Sequence, residues 1–143
     1  MKKYLLFMLA FLPMTLFTAC SSSDDDENQI SEIIGTWNLD NATGYTQSLT
    51  FAPDGTVLEY TTLEGTNAKM EEKGTYSVNK DKLTITWKES RYYNFLSDKW
   101  TNFEPLEKGA ETVVITFTIN GNKLTFVSMD GEKENKPITY TRK

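Results

Sequence analysis

Residues 29–143 predict an all-β fold: an antiparallel up-and-down meander closed into a barrel of eight or nine strands, with a short N-terminal helix. Three observations carry the prediction. Apolar and polar residues alternate with period two over most of this stretch, as in half-buried strands. Turn-forming sequences separate successive alternating runs at hairpin spacing. A meander whose neighbours all pair leaves two exposed edges unless it closes on itself.

The helix comes first. Ile30, Ile33 and Ile34 fall at i, i+3 and i+4, one apolar helical face that would plug one end of the barrel. Residues 36–39 form the first strand. QSLTF (47–51) and TVLEY (56–60) flank Ala52-Pro53-Asp54-Gly55, where proline presets the first corner of a turn and glycine accepts its last. GTYSV (74–78) and LTITW (83–87) flank Asn79-Lys80-Asp81-Lys82. A further strand is expected around 91–95. VVITFTI (113–119) and KLTFVSM (123–129) flank Asn120-Gly121-Asn122, a strong hairpin signal, and residues 137–142 close the count. The alternation places Trp37, Leu49, Phe51, Tyr60, Tyr76, Val78, Leu83, Ile85, Trp87, Val113, Ile115, Phe117, Leu124, Phe126 and Tyr140 on the inward face. The stretch 63–73 reads as a polar loop with Met70 its one large apolar residue.

Ahead of this domain the composition changes. Lys2 and Lys3 precede an apolar run that ends in small residues just before Cys20, the single cysteine of the chain. That is the build of a secretory signal over 1–19, and the run is too short to span a bilayer as a permanent helix. Phe17, Thr18 and Ala19 before Cys20 resemble the lipobox of bacterial lipoproteins, which implies cleavage before Cys20 and a lipid on its sulfur. The lipid would occupy the only thiol, removing disulfides and thiol catalysis together, and its acyl chains would hold the protein to a membrane. Residues 20–28 then form an acidic tether, whose consecutive charges and lack of apolar side chains cannot offset the entropy of ordering. Ser23, Asp24, Asp25, Asp26 and Glu27 resemble the export signal that sends lipoproteins of the Bacteroidetes to the outer face of the outer membrane. The expected location is therefore the outer membrane of a Gram-negative bacterium, with the domain facing the exterior.

Of 15 Lys and Arg, two lie in the signal, and of 20 Asp and Glu, four lie in the tether; the remaining 13 and 16 give the domain a net charge of −3. A near-neutral domain lacks the clustered basic residues that nucleic acid requires.

The motifs in the barrel resemble a known family. The apolar helical turn leading into Gly35-Thr36-Trp37 is similar to the G-x-W opening of the lipocalins. FAPDGTV (51–57), GTYSVNKDKLTITW (74–87) and NGNKLTFVS (120–128) resemble the small lipocalin-like domains of Bacteroidetes lipoproteins. The resemblance implies that Arg142, on the last strand, packs over Trp37, and that Gly35, Trp37 and Arg142 are structural residues.

Chemistry for catalysis is sparse. The chain contains no histidine, and no nucleophile elbow, phosphate-binding loop or zinc-binding helix motif appears. Carboxylate pairs such as Glu71/Glu72 or Glu132/Glu134 fall in polar stretches that read as solvated surface. No enzyme activity, cofactor or metal is expected. Binding is the alternative, either inside the barrel, which at eight strands is filled by its own side chains or holds one small molecule, or at residues 91–109. That segment carries five aromatics among amide and charged neighbours, suited to stacking on sugars or gripping a protein. It is expected to cap the open end. Tyr92, Tyr93, Trp100 and Phe103 are the candidate stacking residues, with Tyr60 and Trp87 deeper inside. The expected function is a small-molecule or glycan binder, for a small apolar molecule or a sugar; the alternative is a protein-interaction module with a packed barrel.

Overall fold

The computed structural model describes residues 30–131 and 136–143. Cys20, the acidic stretch from Ser23 to Glu27, and Glu132 and Glu134 lie outside the described residues. Among the described residues a helical turn at 30–33 leads into ten strands. These are β1 (Gly35–Leu39), β2 (Tyr45–Phe51), β3 (Thr56–Leu63), β4 (Lys69–Asn79), β5 (Lys82–Asn94), β6 (Lys99–Trp100), β7 (Glu104–Pro105), β8 (Glu111–Asn120), β9 (Lys123–Met129) and β10 (Ile138–Arg142). All pairings are antiparallel, in the order β4-β3-β2-β1-β10-β9-β8-β5, and β4 pairs with β5 to close an eight-stranded barrel. The short β6 and β7 are additions on the far half of β5.

The turns form as their sequences require. At Ala52–Gly55 the Gly55 amide donates to the Ala52 carbonyl at 3.1 Å, and the Thr56 amide donates to Asp54 Oδ1 at 2.9 Å. Gly121 (φ 60°) and Lys80 (φ 54°) take the left-handed conformation that two-residue hairpin loops need.

Three sequence expectations are corrected. The strand around 91–95 is not separate: β5 runs unbroken from Lys82 to Asn94. A bulge carries it there, since Lys73 pairs with Glu89 while Gly74 pairs with Trp87, leaving Lys88 as the extra residue. A side chain at Gly74 would put its Cβ 2.3 Å from the Thr86 carbonyl oxygen, so only glycine allows the strands to approach there. The stretch 63–73 is a loop only over 64–68. β3 reaches Leu63 and β4 starts at Lys69, because paired strands can carry polar residues on both faces once they rise past the core. Third, Tyr60 is not an inward residue; it pairs with Ser48 on the outer face, while its neighbour Glu59 pairs with the inward Leu49.

The core occupies the end of the barrel nearest residue 30. Ile33, Trp37, Leu49, Phe51, Val57, Leu83, Ile85, Ile115 and Leu124 are all at most 2% exposed, and Phe117, Phe126 and Tyr140 join them. Ile33 is the plug, and the Trp37 indole N–H donates to its carbonyl at 2.8 Å. This half of the barrel is filled by side chains.

Candidate functional site

Above that core, the inner face changes character. Alternation from the buried Leu49 and Val57 brings Gln47, Glu59, Glu72, Ser90 and Glu111 to the inner side of the opposite end, through the pairs Glu59↔Glu72, Glu72↔Ser90 and Trp87↔Glu111. The Tyr140 hydroxyl donates to Gln47 Oε1 at 3.1 Å and forms a polar lid on the core. Burial, with Glu59 and Tyr45 nearby, pushes the Tyr140 phenol far above its ordinary range. Burial raises the Glu72 carboxyl as well, and the charges of Glu59 and Glu111 add to the effect. Among the described residues no three acidic groups gather as a metal-binding cluster.

At this mouth a concavity of about 380 Å³ opens between Glu72, Ser90 and Tyr92 on one side and the chain from Glu104 to Glu111 on the other. Its lining mixes four carboxylates, from Glu72, Glu104, Glu107 and Glu111, with Lys108, Tyr92, Pro105 and Leu106. Beside it, the turns at 64–68 and 95–98 frame a second, mostly apolar hollow of about 430 Å³ lined by Ala68, Lys69, Tyr92, Tyr93 and Phe95.

The aromatic segment does not cap this end. β6 and β7 pair back along β5, so Trp100 and Phe103 lie on the outer wall. The reason is electrostatic as well as apolar. Arg91 sits between the Trp100 and Phe103 rings, its guanidinium carbon 4.9 and 4.5 Å from their centroids, while Nη2 meets Glu71 Oε2 at 2.5 Å. Tyr60 (centroids 6.3 Å apart) and Tyr93 (5.6 Å) pack against Trp100, Lys69 lies over the Tyr93 ring, and the Tyr93 hydroxyl donates to Asp98. Four of the six candidate aromatics thus gather outside the barrel, Trp100 and Phe103 on Arg91, and Tyr60 and Tyr93 on Trp100. Trp87 is separate, on the inner face against the core, and Tyr92 stands at the mouth, 57% exposed. At the closed end Arg142 covers Trp37 at 4.1 Å, as the resemblance implied.

Residues 33–102 match a family model described as a lipocalin-like domain. The chain folds as a lipocalin-like barrel. No curated protein and no solved structure matches it. A lipocalin-like barrel is a binding fold, which directs attention to its mouth. Sequence reasoning missed the inward carboxylates there. Glu71 and Glu72 are strand residues rather than solvated loop, and they part company: Glu71 faces out to Arg91 and Glu72 faces in. Extending the alternation of 56–60 and 74–78 outward to Glu59 and Glu72 is the signal that could have found them.

Proposed function

We propose that this chain is a lipid-anchored, non-catalytic binding protein of the cell surface, which takes a small ligand at the barrel mouth. The observation that carries the reading is where the packing stops: side chains fill the half of the barrel near residue 30, and the inner face opens into the 380 Å³ concavity at the other. That volume is within the range of small-molecule sites. The lining moves the ligand class away from a wholly apolar molecule. Carboxylates beside Tyr92, Pro105 and Leu106 suit a molecule with one cationic group on an apolar body, the cation compensating acids that repel one another. The mouth lies at the end of the barrel away from the N-terminal turn, so a tether at Cys20 leaves it accessible.

The test is calorimetric titration with a set of small aromatic and aliphatic amines. Binding that weakens about tenfold in Glu72→Gln supports the reading, and an unchanged affinity in that variant sinks it. Anchoring is tested separately: Cys20→Ala should release the protein from membranes, and alanines at Asp24 to Glu27 should protect it from protease added to intact cells.

A protein-interaction role is the second reading, favoured by Phe95 and Leu96, which are 62% and 86% exposed at the tip beside the mouth. Capture of a stoichiometric partner that Leu96→Asp abolishes would select it.

A further inference from the structure

A third concavity lies in the barrel wall, where β1 ends beside the start of β2. Pairing between β1 and β2 stops at Asn38↔Ser48, while β2 continues alongside β3 to Tyr45. The chain from Asp40 leaves in the other direction, its side chain held by Lys123 Nζ at 2.7 Å and by the Thr141 hydroxyl at 2.6 Å. Asn41, in the left-handed conformation (φ 55°), turns it there. The two strands therefore splay, and the gap is a notch of about 490 Å³ with Asn38, Asn41, Thr46, Ser48, Tyr60 and Lys143 on its walls.

The lining defines a class of occupant. On the β1 side, residues 45–47 of β2 have no strand partner, so the backbone groups of alternate residues there face the notch while the others bond β3. Among the described residues the side chains of Asn38, Asn41 and Ser48 make no hydrogen bond within the protein. Tyr60 supplies one ring, steadied from behind by Trp100. Charge is balanced, with Lys143 on one side and Glu64 on the other. A single lysine opposed by a glutamate is not a phosphate site, which draws on several cations or amides. At most two free backbone positions are too few for an added β-strand, whose affinity comes from a run of main-chain bonds. An apolar ligand would strand the amides.

We infer that this notch binds a neutral saccharide, one pyranose face against Tyr60 and its hydroxyls on Asn38, Asn41, Ser48 and the free edge of β2. Sugar hydroxyls both donate and accept, as a mixed strand edge and side-chain amides require. A ring held by a second ring offers stacking area with little rotor entropy to lose. The notch shares no lining residue with the 380 Å³ concavity.

The experiment presents the full chain, solubilised in detergent, to an array of neutral cello-, xylo- and manno-oligosaccharides. At least one should be retained, and both Tyr60→Ala and Ser48→Lys should lower its affinity at least about tenfold, whereas Glu72→Gln should leave it unchanged. Ser48→Lys fills the notch while keeping both the Tyr60 and the Trp100 side chains, so it decides the matter if Tyr60→Ala loosens the fold. Retention of no neutral oligosaccharide, or retention unaffected by Ser48→Lys, overturns the inference.

Discussion

Arg142 Nη1 donates to the Ile34 carbonyl at 2.8 Å while its guanidinium lies 4.1 Å from the centre of the Trp37 ring. A second nitrogen donates to the Glu32 carbonyl. One side chain from the last strand therefore ties the helical turn to the first strand and covers the tryptophan at the bottom of the core. Arg142→Ala removes two charge-assisted hydrogen bonds and the ring contact, a loss of about 3 kcal/mol. Arg142→Lys keeps the charge but not the fork, and should fall between the two in urea unfolding. Wild-type stability in Arg142→Ala would show the contact to be incidental.

Two glycines are required for different reasons. Gly35 takes φ 132° and a Cβ there would stand 2.9 Å from Arg142 Nη1, so Gly35→Ala strains the backbone and dislodges the arginine. Gly74 has no unusual φ, but its Cβ would collide with backbone at Thr86 and Trp87, which cannot yield as a side-chain tip can. Gly74→Ala should cost at least about 2 kcal/mol, and chemical denaturation of the two variants checks both.

The mouth should make stability depend on pH. Glu72 titrates above its ordinary value of 4.5 because burial, then Glu59 and Glu111, disfavour its charge. Between the ordinary value and the raised one the folded chain holds a proton the unfolded chain has lost, so stability falls as pH rises through that window. At neutral pH Glu72→Gln should melt higher than wild type, and the difference should vanish below pH 4.5. Asp40, hydrogen-bonded by Lys123 and Thr141, and Asp54, held by the Thr56 amide, titrate below 3.8 and act with the opposite sign. Their stabilisation is complete above 3.8 and lost as pH falls through the lowered values. Melting temperatures across the acid range would reveal both limbs.

Arg91 holds the β6–β7 segment on the wall. Its Nε donates to Glu71 Oε2 at 2.6 Å, and the Glu71 side chain is only 13% exposed. Arg91→Ala leaves that carboxylate unpaired beneath the rings, at a cost of about 2–3 kcal/mol. Trp100 should become more solvated while Trp37, which is 0% exposed, does not. A red-shifted emission with an intact barrel by circular dichroism is the expected result; an unchanged spectrum would mean that the rings hold the segment without the arginine.

Local sequence determined the barrel's lower half and its turns. Leu83, Ile85, Val113, Ile115, Phe117, Leu124 and Phe126 alternate strictly, and each hairpin there has two or four turn residues of the right chemistry, so propensity, pattern and turn agree. Gly35, Trp37 and Arg142 were legible through their motif. The upper half depended on tertiary structure because its residues carry no hydrophobic signal. Lys69–Lys73 reads as loop, yet it is strand because β3 and β5 pair with it on both sides. One bulge at Lys88 sets which of Glu89, Ser90, Arg91 and Tyr92 face inward, and period-two counting across it assigns every later side chain to the wrong face. Tyr60, Trp100 and Arg91 meet outside the barrel for the same reason: an aromatic residue is as stable against other rings and a guanidinium as in a core, and only the register of strands far apart in sequence decides which it joins.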